Sequence, residues 1–210
     1  MIPYIKNKMK SRNARIINLI LLCCPIIQNS MAQEPASQQH TLQRSQDLHA
    51  LIINASPGWI ISKIYTNQGE YSWLSGMGFE LSYRYLTSNG YGFSIEYAHN
   101  ETTFTSVPYE SLKLNYVGAS FNYGGHISEK WIGNVGIGLG YAYYSNGSYN
   151  EYGLGIKSSV GLEWRFTKHV GVGVELDNTA VFLPKQDNLP KDYTSGIRRL
   201  SINAGLRIYI

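Results

Sequence analysis

The chain has 210 residues, of which 15% are charged and 13% aromatic, and its formal net charge is +4. So little charge with so many aromatics excludes a disordered chain. The 21 Gly and 17 Tyr exclude a coiled coil or helical bundle, whose residues are good helix formers. No stretch of 18 or more apolar residues is present, so a membrane-spanning helix is excluded, but a membrane-spanning barrel is not.

The N-terminus carries Lys6, Lys8, Lys10, Arg12 and Arg15 with no acid, followed by the mostly apolar run Ile16–Ile27 and then Ser30-Met31-Ala32. A basic region, a short apolar core and a small-x-small step predict a secretory signal peptide over 1–32, cut between Ala32 and Gln33. Twelve residues rise about 18 Å as a helix, too short for a bilayer core. Cleavage leaves 178 residues with 13 basic and 14 acidic side chains. It also removes Cys23 and Cys24, the only cysteines. The basic balance therefore belongs to the export signal, and it gives no support to nucleic-acid binding.

Residues 33–49 are polar, Gln-rich and without period, which predicts a flexible periplasmic leader. The remainder, 50–210, reads as one domain. Its dominant signal is alternation. At the C-terminus Leu200, Ile202, Ala204, Leu206, Ile208 and Ile210 share one face, opposite Arg199, Ser201, Asn203, Gly205, Arg207 and Tyr209. The same period predicts eight strands, near 50–65, 72–86, 90–102, 110–124, 130–144, 151–166, 168–182 and 196–210. Two segments depart from it. Around 116 the apolar phase moves from even positions (Leu112, Leu114, Tyr116) to odd ones (Val117, Ala119, Phe121), which predicts a β-bulge. Pro57 cannot donate to a ladder and demands a bulge or a strand end.

The links between strands fall into two kinds. Those at 66–71, 103–109, 145–150 and 183–195 are long, whereas 87–90, 125–129 and Thr167 are tight. Long loops at one end and short turns at the other mark an up-and-down antiparallel barrel of the outer-membrane type. The expected fold is therefore all-β, an eight-stranded transmembrane barrel with a plugged polar interior. Such a barrel is only wide enough for side chains to fill it. Basic groups facing lipid near the midplane would cost about 2–4 kcal/mol each. So Glu80, Arg84, Glu96, Lys157, Glu163, Arg165, Glu175, Arg199 and Arg207 are expected inside, with Glu163 and Arg165 as an ion pair. Trp73, Tyr83, Tyr85, Tyr91, Trp131, Tyr141, Tyr143 and Trp164 are placed as interfacial girdles.

The C-terminal Asn203-x-Gly205-x-x-Ile208-x-Ile210 resembles the signal read by barrel-assembly machinery, with Ile210 where many porins end in Phe. The stretches Gly76–Tyr85 and Gly136–Tyr141 resemble strands of small OmpA/OmpX-like outer-membrane barrels and porin-family domains of Bacteroidetes type. This resemblance spans about residues 50–210. It implies outer-membrane lipid, lipopolysaccharide and the assembly machinery as partners, and it identifies no substrate.

Catalytic candidates are few. His126-Ile127-Ser128 with Glu129 has the His-x-Ser spacing of a lipid A deacylase, but it falls in a predicted periplasmic turn. Ser145-Asn146-Gly147 has Tyr143 and Tyr144 where a base is required to activate the hydroxyl. The five His show no metal-ligand spacing. Gly136-x-Gly138-x-Gly140 has no following helix, so it reads as room inside a barrel rather than a nucleotide loop. The expectation is a non-enzymatic barrel without cofactor, metal or nucleic acid. It serves envelope structure or binds an unidentified extracellular ligand through Tyr143, Tyr144, Tyr149, Lys185, Asp187, Lys191 and Asp192. A lipid A deacylase and a soluble lipocalin-like binder are the alternatives.

Overall fold

The computed structural model describes residues 47–66, 69–103, 111–145, 150–184 and 196–210. The signal segment, the leader before Asp47, and Tyr149, Lys185, Asp187, Lys191 and Asp192 lie outside the described residues. The strands are β1 (Leu48–Ala55), β2 (Gly58–Ile60), β3 (Ile64–Thr66), β4 (Gly69–Tyr71), β5 (Leu74–Leu86), β6 (Tyr91–Thr103), β7 (Ser111–His126), β8 (Trp131–Ser145), β9 (Asn150–Arg165), β10 (Val170–Phe182) and β11 (Gly196–Tyr209).

Antiparallel neighbours follow one another from β5 to β11, and β1 with β2 pairs with both β5 and β11. The sheet thus closes on itself. β1 and β2 act as one strand, giving an eight-stranded barrel with no free edge. The strand starts at Leu48, two residues before the expected boundary. Pro57 falls in the break between β1, which ends at Ala55, and β2, which begins at Gly58, so the expected strand end is found there and no bulge is inserted. Three steps lead from Ala55 to Gly58, matched by three from Phe79 to Gly76 and three from Ala204 to Ser201. The Pro57 carbonyl accepts from Ile202 N at 3.0 Å, so only the donor is missing.

The barrel's stagger follows from the register. Stepping across the ladder from Trp131 leads through Trp164, Val172, Leu206, Ile53, Leu81, Tyr97 and Val117 back to β8 at Tyr141, ten residues further on. With strands ~4.8 Å apart and a rise of ~3.4 Å per residue, this shear sets a strand tilt of about 40°.

The tight turns behave as the sequence predicts. In the turn after β5, Gly90 has φ 85, and a Cβ there would strike Gly124 O. In the turn after β9, Thr167 Oγ1 accepts from Val170 N at 2.9 Å. At the opposite end, the first long link contains the β3–β4 hairpin, in which Ile64 pairs with Tyr71. Trp73, between this hairpin and β5, has φ 59 and is exposed.

The expected bulge near 116 is absent. β7 pairs residue for residue with β6 and β8 through Tyr116 and Val117. Leu112, Leu114 and Tyr116 are buried inside, and Val117, Ala119 and Phe121 point outward. The apolar phase changes because the inward face itself turns from apolar to polar, not because a residue is inserted.

Candidate functional site

The interior is stratified. At the turn end Ala50, Ile52, Ile132 and Tyr209 form a small apolar floor. At the loop end Ile60, Ile64, Leu112, Leu114, Tyr116, Tyr144, Val181 and Ile197, with Ala98 and Ala142, form a larger apolar seal. Between them lies a charged centre. Tyr116 is the keystone of the seal, and glycines make its seat. A Cβ on Gly140 would come within 2.5 Å of its ring and one on Gly155 within 2.8 Å. Gly136 and Gly138 likewise leave room for Asn122 and Ser120. The alternating glycines of β8 thus admit larger side chains from β7.

The charged centre has two groups. In the first, Arg84 Nη1 donates to Glu163 Oε1 at 2.6 Å and Nη2 to Glu175 Oε1. Arg207 lies 3.5 Å from Glu163 and 3.4 Å from Glu175. Its Nη1 donates to Asn54 Oδ1, and Tyr209 Oη donates to Glu163 Oε2 at 2.8 Å. In the second, Lys157 Nζ reaches Glu80 at 2.7 Å, Glu96 at 2.8 Å and Asp177 at 2.8 Å. Three ammonium protons meet three carboxylates on three different strands. Asn203 Nδ2 braces Glu80 Oε2 and Asp177 Oδ2, and Ser120 Oγ donates to Glu96 Oε1. Arg199 stands apart, donating through Nη2 to Ser56 O at 2.7 Å.

Eight of the nine charges expected inside are buried. Arg165 is the exception. It is half-exposed at the turn-end rim, where Nη2 donates to Lys168 O at 2.8 Å and the guanidinium covers the Tyr209 ring at 4.5 Å. The expected Glu163–Arg165 pair does not form, because Glu163 points to Arg84 and Arg207 one level deeper. Asp177 was not among the charges expected inside, although it continues the polar face of Gly171, Gly173 and Glu175. Asn54 and Tyr116, also buried, were not singled out as lumen residues. Of the residues expected to form a C-terminal assembly signal, Asn203 is fully buried, Gly205 pairs with Asn54 and Gly173, and Ile210 is exposed.

The outward face is the inverse of the interior. Leu81, Ile95, Val117, Phe121, Ile137, Leu139, Leu154, Val160, Val174 and Ile202 are all among its exposed apolar side chains, and they encircle the barrel. Aromatics border the band at the turn end: Tyr91 lies 5.1 Å from Tyr123, Tyr85 5.5 Å from Phe93, and Trp131 6.5 Å from Trp164. Tyr141, Tyr143 and Tyr152 form the corresponding cluster at the loop end. Asn178 and Arg198 interrupt the band near that end and bond to each other at 2.9 Å. Tyr144, expected on the loop surface, is instead buried in the seal. His126 ends β7 and Ser128 lies in the following turn, both exposed, with no hydrogen bond between them.

The fold and its lumen define the class: a closed eight-stranded antiparallel barrel of the outer-membrane type. Solved structures similar to it include the following. Neisserial surface protein A matches with a TM-score of 0.54 and 16% identity, over 76% of this chain and 96% of that chain. Ail, the attachment invasion locus protein of Yersinia pestis, matches with 0.45 and 18%, over 77% and 99%. The outer membrane protein OprG of Pseudomonas aeruginosa matches with 0.46 and 10%, over 80% and 98%. At these identities the likeness is one of fold. No protein-family model and no curated protein matches the sequence.

Proposed function

We propose that the chain is an integral outer-membrane barrel of Gram-negative bacteria, without enzymatic activity, that contributes to envelope structure or binds surface partners through its loop end. One observation carries this reading: a ring of exposed large apolar side chains surrounds a closed barrel that buries eight charged side chains of its lumen together with Asp177. Soluble monomers rarely expose apolar patches beyond about 300–600 Å². A lipocalin-like binder, with its apolar face inward, has the opposite arrangement. In hydrocarbon the ring is solvated, and closure satisfies every strand's backbone groups.

The signal peptide over 1–32 supplies the export route, and the Asn203–Ile210 pattern supports recognition by the assembly machinery. Both, with membership of a Bacteroidetes-type barrel family, are part of the proposal. Outer-membrane lipid and lipopolysaccharide are the proposed surroundings of the band. Conduction by general diffusion is disfavoured, since the lumen is filled by paired charges beneath an apolar seal, and open channels belong to barrels of about 16 strands. The test is fractionation of the expressing cell together with gel migration before and after boiling. Detergent-dependent extraction and heat-modifiable migration are expected. A chain soluble without detergent contradicts the proposal.

A further inference from the structure

Among the described residues, Glu80, Glu96, Glu163, Glu175 and Asp177 are buried against Arg84, Lys157, Arg199 and Arg207, five acids against four bases. Arg84 and Arg207 balance Glu163 and Glu175. The imbalance therefore falls on the second group, where Lys157 alone faces three carboxylates. Arg199 is the remaining cation, and its guanidinium is spent on Ser56 rather than on an acid.

Beside this group, under the apolar seal, is a small cavity whose lining includes Asn100, Tyr116, Asp177, Lys157 and Arg199. Three of its lining residues carry buried oxygens without a hydrogen-bond partner: Asp177 Oδ1, Asn100 Oδ1 and Tyr116 Oη. These residues are 2%, 5% and 2% exposed. A buried acceptor left unpaired is costly, so three on residues that line one space point to an occupant. A carboxylate, an amide and a phenol are all hard oxygen ligands. No group of three or more His, Cys, Asp or Glu among the described residues is arranged for a metal, which argues against a divalent ion.

We propose that this cavity binds one positive charge, supplied as an alkali-metal ion or as a proton, which completes the balance of the lumen. The groups around Asp177 come from every neighbouring element: Glu80 on β5, Glu96 on β6, Tyr116 on β7, Lys157 on β9, Glu175 on its own strand, and Asn203 and Arg199 on β11. The site depends on the barrel's interior alone. It stands whether or not the proposed cellular location is right.

The test is urea unfolding of the folded barrel in uncharged detergent micelles at constant ionic strength. Sodium, potassium and N-methylglucamine chlorides are compared at pH 7.5 and 9.5. If the charge is an alkali-metal ion, stability is higher in sodium or potassium than in N-methylglucamine, which is too large to enter. At ten times its dissociation constant the ion changes the unfolding equilibrium about tenfold. If the charge is a proton, the three salts agree and stability falls from pH 7.5 to 9.5. Glu96→Gln restores the charge balance without altering the cavity lining, and it abolishes either dependence. Asn100→Leu removes one oxygen at constant charge and weakens only the metal dependence. Stability indifferent to both salt and pH, as a single neutral water would give, overturns the proposal. So does a dependence that survives Glu96→Gln undiminished. Failure of the membrane reading would show separately, as a barrel that needs no micelle.

Discussion

Lys157 Nζ and Glu80 Oε2 lie 2.7 Å apart, joining β9 to β5 across the full width of the lumen. They are 77 residues apart in sequence, and both are almost completely buried. Replacing Lys157 by Met strands three carboxylates at once. Breaking a buried pair costs about 3–5 kcal/mol. Equilibrium urea unfolding in micelles should show a loss of at least that size for Lys157→Met. Adding Glu80→Gln and Asp177→Asn should recover part of it. A Lys157→Met barrel as stable as the wild type contradicts the ion-paired centre.

The seat of Tyr116 is open to a double-mutant cycle. Gly155→Ala places a methyl against its ring, and overpacking of this kind costs about 1–3 kcal/mol. In a Tyr116→Ala background the same change should cost little, because the ring is gone. Equal costs in both backgrounds would show that the glycine serves another purpose.

The proposed lipid face predicts an asymmetry that a soluble barrel lacks. Ile95 is 57% exposed and lies midway between Tyr91 and His99 on the outward face of β6. An Arg there should cost about 2–4 kcal/mol in a bilayer. On a water-facing surface the same substitution falls within about 0.5 kcal/mol. Lys113→Ile, beyond the band on β7, should have no such effect. Folding titrations into vesicles distinguish these outcomes.

At the turn end Asp47 accepts from Tyr85 Oη at 2.8 Å and from Ser88 N at 3.0 Å. Both bonds favour the ionised carboxylate and hold Asp47 below its ordinary value of 3.8. The stabilisation is therefore fully present above that value and is lost as the pH falls through the lower, folded one. The Ser88 amide resonance should titrate with a midpoint below 3.8. A midpoint at or above it means that the tether is not formed in solution.

Much of this architecture is legible in the order of residues. On β10 and β11 alternation separates outward-facing Val174 and Ile202 from lumen-facing Glu175 and Asn203, because one face is apolar and the other polar. On β7 that contrast fails. Leu112, Leu114 and Tyr116 are apolar yet inward, since the loop end of the lumen is sealed by packing rather than by charge. Period two cannot say which of two apolar faces is inside. Pairing partners are hidden for a different reason. Arg84 meets Glu163, and Lys157 meets Glu80, across a closure whose ten-residue stagger sums every strand register. Arg165 followed the right face but lay one level too near the rim.

The central claim is that the apolar ring meets hydrocarbon while the charges lie inside. Cys23 and Cys24 are the only cysteines and both lie in the proposed signal segment, so single cysteines at Phe93, Ser94, Ile95 and Glu96 in a chain starting at Gln33 can carry spin labels without background. In reconstituted bilayers, collision with oxygen should be high at 93 and 95 and low at 94 and 96, and collision with a water-soluble nickel chelate should be low at all four. High chelate accessibility at 93 and 95 would contradict the account.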